Sequence, residues 1–130
     1  MELPNTQNFL ITIGTDIVKN ERIERNIDNL SFIKRILSPK EIEIFNKIKS
    51  KQRKIEFLAG RFSAKESIVK AINYKLNFNE ISIDSNANVE ITGNLENILT
   101  TLGVKRIHFK ASISHEREYT VSTCIALLEK

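Results

Sequence analysis

The stretch from Leu58 to Ile72, L-A-G-R-F-S-A-K-E-S-I-V-K-A-I, constrains the fold of this chain more than any other. Its apolar residues recur at three- and four-residue spacing, which is typical of a helix with one buried face. The residues expected on that face are Ile55, Leu58, Ala59, Phe62, Val69 and Ile72. The sequence therefore predicts a central helix around which the rest of the chain is organised.

Glu66 falls on this apolar stripe. A carboxylate on the buried side of a helix needs a cation or several hydrogen-bond donors, because burying a bare charge is very costly. Lys70 lies one turn further on, within reach of Glu66 or of a shared anionic ligand, and Arg61 and Lys65 add positive charge on neighbouring faces. The composition suits a site that holds a metal ion and a phosphate together, although a solvated Glu–Lys pair explains the same spacing.

Phe9 to Val18, F-L-I-T-I-G-T-D-I-V, is rich in β-branched residues and predicts a strand. Asp16 lies inside this run, close to its end, where strand propensity disfavours aspartate. The carboxylate either caps the helix that follows or ligates a metal at the end of the strand. From the residues alone, the helix cap is the favoured interpretation.

The chain between Ile17 and Leu37 has a helical pattern, with Ile23, Ile27, Leu30, Ile33 and Leu37 as candidate core positions. Ser38-Pro39-Lys40-Glu41 is a capping box with proline at the first helical position, so a helix begins at Pro39 and ends near Lys49. Residues 50 to 54 are polar and open the central helix. The first half of the chain is thus predicted to be helical.

The second half is predicted to be rich in strands. Glu80 to Asp84 and Val89 to Thr92 alternate apolar and polar residues and indicate a hairpin. Leu95 to Leu102 predicts a short helix that ends at Gly103. Val104 to Ser114 and Tyr119 to Glu129 predict two long strands joined by a polar turn, H-E-R-E. We expect one α+β domain over residues 9–130, with a helical half packed on an antiparallel sheet and residues 1–8 as a loose end.

Composition leaves several partner classes open. The net charge of +4 suits an acidic protein, a phosphorylated ligand or nucleic acid. Cys124 is the single cysteine, so no disulfide within the chain and no cysteine-based zinc site is possible, and a buried structural thiol is expected. No apolar run reaches the length of a membrane span, and the first residues lack the pattern of a secretory signal. We expect a cytoplasmic protein that does not associate with membranes.

Three motifs occur in order along the chain: I-G-T-D-I-V at 13–18, followed by Arg22-Ile23; G-R-F-S-A-K-E-S-I-V-K-A at 60–71; and S-I-S-H at 112–115. Together they resemble the holo-acyl-carrier-protein synthase family, the short bacterial 4′-phosphopantetheinyl transferases. The resemblance runs from about Ile11 to Glu129, and L-S-P-K-E and F-L-A-G-R-F between the motifs add to it. It implies the 4′-phosphopantetheinyl transferase fold and a trimer with active sites between subunits.

The resemblance implies transfer of 4′-phosphopantetheine from coenzyme A to a serine of apo acyl carrier protein. The other product would be adenosine 3′,5′-bisphosphate, and the reaction would support fatty acid biosynthesis. By position in the motifs, Asp16 and Glu66 are expected to bind Mg²⁺, with Mn²⁺ as a possible substitute. These two carboxylates and Lys70 form the expected catalytic set.

The same resemblance implies ligand contacts for other residues. Arg61, Lys70 and His115 are expected to contact the coenzyme A phosphates. Arg22, and with it Arg25, is expected to contact the acidic recognition helix of the carrier protein. The serine proton can leave through Glu66 or through a metal-bound water, and the sequence does not choose between the two.

One loop departs from the family pattern. A glycine-rich turn usually follows the second motif, whereas this chain reads Asn73-Tyr74-Lys75. Asparagine tolerates unusual backbone angles but tyrosine does not easily, so we expect a loop of different shape, in which Lys75 contacts a phosphate. The alternatives are a family member that binds coenzyme A without transferring, and a non-enzymatic basic module. No nucleic-acid motif or aromatic stacking platform is visible, so nucleic acid is not an expected partner.

Overall fold

The computed structural model describes residues 8–130. In chain order its elements are β1 (Phe9–Lys19), α1 (Asn20–Glu24), α2 (Leu30–Ile36), α3 (Pro39–Lys47), α4 (Lys51–Ile72), a 3₁₀ turn (Phe78–Glu80), β2 (Ile81–Ile83), β3 (Val89–Ile91), α5 (Leu95–Leu102), β4 (Arg106–His115) and β5 (Tyr119–Glu129). The main sheet is antiparallel with the order β1-β5-β4, and β2 pairs with β3 in a separate hairpin. The predicted α+β architecture is confirmed.

Helix α4 forms where the sequence predicts the central helix. The side chain of Ser50 caps its start by accepting a hydrogen bond from the backbone N–H of Arg53 at 3.3 Å. The helix ends at Asn73, whose left-handed backbone (φ 51°) is one that asparagine adopts more readily than most residues. The left-handed angle of the altered turn thus falls on Asn73, while Tyr74 packs against the core.

Within residues 8–130, the main sheet has one face on α4 and one face that no element covers. Along β1, Gly14 and Val18 are buried and Asp16 is half-buried, whereas Ile13 and Ile17 on the opposite face are exposed. Helix α4 packs against all three strands through the covered face. Successive side chains of a strand point to opposite faces of the sheet. The same alternation therefore exposes Ile13 and Ile17 and turns Asp16 toward α4.

The core has two parts that meet at α4. The amino-terminal half of α4 packs with α1, α2 and α3 around Ile23, Leu37 and Phe45. The carboxy-terminal half packs with both sheets and α5 around Ile68, Ile81 and Cys124. The expected burial of Cys124 is confirmed, and burial raises the pKa of its thiol to about 11.

The predicted helix from Ile17 to Leu37 is wrong. Strand β1 continues to Lys19, and two short helices follow with residues 25–29 between them. Asn29 interrupts the helix because its side chain caps α2, accepting a hydrogen bond from Phe32 N at 3.2 Å. Leu30, predicted to lie in the core, is 70% exposed at the start of α2.

Helix α4 also corrects two side-chain predictions. Ile68 is fully buried, while Val69 is only half-buried, because α4 is covered on a wider arc than one stripe. Lys65, predicted on a neighbouring face, is fully buried. His115 is the last residue of β4 and not the first of the turn.

Residues 1–7 of the predicted loose end lie outside the described part of the chain. Asn8 accepts a hydrogen bond from Lys130 N at 2.8 Å, so it continues the β1–β5 pairing. Within residues 8–130, no helix is both long enough and apolar enough to span a membrane.

Candidate active site

Asp16 lies inside β1, opposite Ser122 of β5, with its side chain on the covered face of the sheet. The prediction that Asp16 caps a helix is wrong, because the strand runs three residues further before α1 begins. Its carboxylate therefore points toward α4, the helix that carries Glu66. This is the direction that the alternative interpretation, a ligand near a strand end, requires.

Gly14 allows β1 to approach α4 closely. A Cβ at this position would overlap the carbonyl oxygen of Ser67 and lie 2.6 Å from the backbone nitrogen of Ala71. Only a residue without a side chain fits between the two elements. The close contact fixes how far Asp16, two residues along the strand, stands from the helix.

Asp16 and Lys70 form an ion pair across this contact. Lys70 Nζ lies 3.2 Å from Asp16 Oδ1 and also donates to the carbonyl oxygen of Thr15 at 3.1 Å. Lys70 was expected within reach of Glu66, yet among the ion pairs of residues 8–130 it contacts Asp16. One turn of α4 separates Lys70 from Glu66, so this ion pair holds Asp16 against a side chain one helical turn from Glu66.

The second oxygen of Asp16 suits a cation. Oδ2 is buried and has no hydrogen-bond partner in the described structure, although a buried carboxylate oxygen is costly to leave unpaired. Half-buried Glu66 lies on α4, one turn before Lys70, and supplies a second carboxylate. Mg²⁺ binds one or two protein carboxylates and completes its shell with water and phosphate oxygens, so these residues fit such an ion.

Glu66 opens into a cavity of about 360 Å³. Basic side chains of Arg22, Arg35 and Lys75 line it, and its remaining wall is mostly apolar. The guanidinium of Arg22 lies over the ring of Phe62, 5.3 Å from the centroid. Three cationic side chains therefore line the same cavity as the Glu66 carboxylate.

Arg61 and His115 lie together further toward the start of α4. Arg61 donates to the carbonyl oxygens of Ile83 at 3.1 Å and Asp84 at 3.3 Å, and its guanidinium covers the ring of Phe57. These contacts hold the β2–β3 hairpin against α4. The roles of Arg61 and His115 toward coenzyme A therefore remain predictions, with Arg61 already engaged by the protein.

The ring of His115 rests on Gly60 of α4. A Cβ at Gly60 would lie 3.1 Å from Cε1 and 3.3 Å from Nε2 of the imidazole. Partial burial lowers the pKa of His115; the carboxylate of Glu56 opposes this shift and the positive charge of Arg61 adds to it. The imidazole is therefore neutral over a wider pH range than a free histidine.

A buried charge network lies beneath the site and escaped prediction. Lys65 Nζ donates to Glu41 and, at 2.7 Å, to the carbonyl oxygen of Ile36. Glu41 also accepts from the backbone nitrogens of Ser38 at 2.9 Å and Ile83 at 2.9 Å. The sequence identifies Glu41 only through its capping box, since nothing in its spacing pairs it with a lysine 24 residues away.

Ser63 and Ser122 also escaped prediction. Their hydroxyls are 2.8 Å apart between α4 and β5, and Ser63 Oγ lies 3.5 Å from the carbonyl oxygen of Asp16. Ser122 is the cross-strand partner of Asp16, so the pair holds the helix against the strand beside the carboxylate. Only a knowledge of the strand pairing would have indicated them.

A protein-family model described as the 4′-phosphopantetheinyl transferase superfamily matches residues 12–124. The chain belongs to this superfamily. It is 42% identical over 124 residues to a holo-acyl-carrier-protein synthase of Geobacillus sp. (strain WCH70), covering 90% of this chain and 96% of that protein. It is 43% identical over 122 residues to the synthase of Ligilactobacillus salivarius, covering 90% and 85%.

Solved structures of the superfamily share the fold. The holo-acyl-carrier-protein synthase of Bacillus anthracis, in complex with CoA (3′,5′-ADP), superposes with a TM-score of 0.73 at 28% identity, covering 93% of this chain and 99% of that one. The Plasmodium yoelii synthase superposes with a TM-score of 0.77 at 28% identity, covering 94% and 98%. The expected family and fold are confirmed.

Proposed function

We propose that the protein is a holo-acyl-carrier-protein synthase that transfers 4′-phosphopantetheine from coenzyme A to a serine of apo acyl carrier protein. The serine oxygen forms a bond to the phosphorus that carries the pantetheine, and the bond from that phosphorus to adenosine 3′,5′-bisphosphate breaks. Family membership over nearly the whole chain supports this reaction. The observation that carries the proposal is the orientation of Asp16 toward the helix that bears Glu66 and Lys70.

Asp16 and Glu66 would hold the Mg²⁺ ion, with Mn²⁺ as a substitute. Asp16 offers the unpartnered Oδ2, and Glu66 offers a carboxylate that faces an open cavity. When bound, a divalent cation between them would neutralise charge on the diphosphate and favour in-line displacement.

The chain's own residues supply orientation and charge. Lys70, which is half-exposed while it holds Asp16 Oδ1, can turn one of its three donors to a phosphate oxygen of coenzyme A. Glu66 lines the cavity, and its carboxylate can accept the proton of a serine hydroxyl that approaches through that cavity. Lys75 and Arg22 on the cavity wall would draw the acidic substrates toward it.

The docking of the carrier protein is assigned to the basic wall of the same cavity. Arg22 is held over Phe62, so its guanidinium is oriented before a partner arrives. Arg25 pairs with Glu21 at 2.7 Å on the exposed side of α1 and would have to leave that pair to contact the carrier. We therefore expect Arg22 to contribute more to docking than Arg25.

An oligomer, by family analogy a trimer with sites between subunits, would cover the open face of the sheet. In the structure the exposed aliphatic residues are on β1 and β5, while the outward positions of β4 are polar. The exposed set is Ile11, Ile13, Ile17, Val121 and Ile125. So large an apolar face supports an interface between copies.

An assay with purified components tests the proposal. The protein, apo acyl carrier protein, coenzyme A and Mg²⁺ are mixed, and the carrier is weighed by mass spectrometry. We expect a gain of one phosphopantetheine that chelation of the cation abolishes. Coenzyme A binding without any mass gain would favour the non-transferring alternative, and neither binding nor gain would favour the basic module.

A further inference from the structure

A chain of three polar side chains ends at the ring of His115. His115 Nδ1 lies 3.0 Å from Thr120 Oγ1, and Thr120 Oγ1 lies 2.7 Å from Asn20 Oδ1. Thr120 is fully buried, and Asn20 is 6% exposed. The three residues come from β4, β5 and the first position of α1. Their hydrogen bonds therefore join three elements at one corner of the sheet.

The direction of each hydrogen bond in this series of three side chains follows from the contacts of Asn20, at its buried end. Asn20 Nδ2 donates to the carbonyl oxygens of Glu116 at 3.1 Å and Arg117 at 3.4 Å. Carbonyl oxygens only accept, so the amide cannot be turned around, and Oδ1 must be the atom that faces Thr120. The threonine hydroxyl has one proton, which it gives to Oδ1. Its oxygen is then left to accept from His115.

We infer that Asn20 and Thr120 are positioning residues that hold neutral His115 with its proton on Nδ1, leaving Nε2 as the ring nitrogen available to a ligand. Neither residue belongs to the family motifs in which His115 was identified. The Cε1–Nε2 edge of the ring passes over Gly60, and the absence of a side chain there gives this edge its room. Free histidine favours the opposite tautomer, so the protein selects this one.

The tautomer determines what His115 can bind. A phosphate oxygen needs a donor, and neutral Nε2 in this tautomer has none. If the proposed function is correct and a phosphate of coenzyme A reaches this nitrogen, the imidazole takes up a proton as the ligand binds. The charged groups of α4 that act on the ring are Glu56 and Arg61, and the residues of β5 and α1 in its hydrogen-bond series, Thr120 and Asn20, are neutral. In the following turn, the Glu116 carboxylate accepts from Glu118 N and Tyr119 N.

Nuclear magnetic resonance tests the tautomer without any ligand. Long-range ¹H–¹⁵N correlation spectra distinguish protonated from bare ring nitrogens, and a His108→Gln variant assigns the two histidines. At alkaline pH we expect the proton of His115 on Nδ1 in the wild type and in Thr120→Ser, which keeps the hydroxyl. In Thr120→Val, which has the same shape without the hydroxyl, we expect the signal to move to the Nε2–H pattern.

The opposite tautomer in the wild type, or an unchanged spectrum in a folded Thr120→Val variant, would overturn the inference. The wild-type spectrum alone decides the tautomer should Thr120→Val fail to fold. Calorimetry of coenzyme A binding in two buffers of different ionisation enthalpy then measures proton uptake. At a pH above the pKa of His115, we expect the wild type to take up a proton when coenzyme A binds. We expect no such proton uptake in His115→Gln. Equal uptake in both proteins would refute the coupling, whereas failure of coenzyme A to bind would refute the proposed function and leave the tautomer result standing.

Discussion

Lys65 shows how much of this molecule depends on single charged side chains. The lysine is fully buried, and its ammonium group connects the end of α2, the capping box of α3 and, through Glu41, the first strand of the hairpin. Burial lowers the pKa of Lys65 to about 8, while Glu41 acts to raise it. A buried ion pair of this kind is costly to form, and removing one partner is costlier still, because the other charge is stranded.

We expect Lys65→Met to lower the free energy of unfolding by about 3–5 kcal/mol, because it leaves the Glu41 carboxylate buried without its cation. Urea denaturation measures the change. In the double variant Lys65→Met with Glu41→Gln we expect part of the loss to be recovered, since no charge is left buried and the amide oxygen still accepts one of the two backbone hydrogen bonds. A single variant as stable as the wild type would show that the pair contributes nothing.

The pH dependence of stability should contain a contribution from His115. Its pKa in the folded state lies below the ordinary value, so the unfolded chain binds more protons in the interval between the two values. Its contribution is fully present above pH of about 6.5 and is lost as pH falls through the folded pKa. Urea midpoints measured across this range should fall more steeply for the wild type than for His115→Gln. The same dependence of the urea midpoint on pH in both proteins would contradict the lowered pKa of His115.

At the residue scale, sequence spacing reveals motif positions but not partners. Asp16, Glu66 and Lys70 were assigned from their places in motifs, and the structure shows that Lys70 pairs with Asp16. The buried partnership of Lys65 with Glu41 could not be predicted, because both residues look like ordinary exposed helix charges in the sequence. Such pairs depend on how the helices cross in the folded protein, and the hydrophobic periodicity of a sequence carries no information about crossing geometry.

The elements that carry strong local signals were predicted well. Helix α4, the capping box of α3 and the hairpin of β2 and β3 all form where their patterns indicate. The break between α1 and α2 was missed because hydrophobic periodicity continues across it, while asparagine side chains compete with the helix for backbone hydrogen bonds. The strand predicted from Phe9 to Val18 ended one residue short of β1, and the predicted helix began too early, at Ile17, because Asp16 resembles a helix cap.

The contact between β1 and α4 is the element-scale feature on which the site depends. We expect Gly14→Ala to cost about 2–3 kcal/mol of stability, since the added carbon overlaps the backbone of α4 and must push the strand away. The displacement should also move Asp16, so transferase activity should fall further than stability alone explains. Gly103→Ala is the comparison, because its Cβ would meet nothing within 4 Å, although its φ of 68° carries a local strain. Full activity in Gly14→Ala would contradict the close contact.

A substitution in the turn between β2 and β3 is expected to stabilise the protein. Ala87 adopts a left-handed backbone (φ 61°), which is strained for a residue with a side chain. We expect Ala87→Gly to raise the free energy of unfolding by about 0.5–1 kcal/mol, because relief of strain exceeds the added entropy of the unfolded chain. Thermal unfolding provides the measurement, and a lower melting temperature for the variant would count against the assigned turn.

On the scale of the whole molecule, the described residues leave one face of the main sheet without a covering layer. Ile13 and Ile17 are 66% and 62% exposed on β1, and Ile125 of β5 is the cross-strand partner of Ile13. The amino- and carboxy-terminal strands pair directly, so this face belongs to the most non-local part of the fold. The sequence could not indicate which strands would expose apolar residues. The alternation of apolar and polar residues along a strand does not reveal the order of the strands in the sheet.

We expect Ile13→Lys to convert the oligomer to a protein of about 14.9 kDa in light scattering, since a charge in an apolar interface would be left unpaired. Ile44→Lys on α3 is the control, because Ile44 is exposed away from the sheet face. If the wild type is already monomeric, or if both variants behave alike, the oligomer proposal fails.

In the proposed function, Asp16 and Glu66 together hold one divalent cation beside the diphosphate of coenzyme A. Titration of Mn²⁺ into the protein with coenzyme A present, followed by electron paramagnetic resonance of the free ion, measures that site directly. We expect one bound ion per chain in the wild type and in Glu43→Gln, an exposed acid on α3, and loss of tight binding in both Asp16→Asn and Glu66→Gln. Undiminished binding in either site variant would contradict the account.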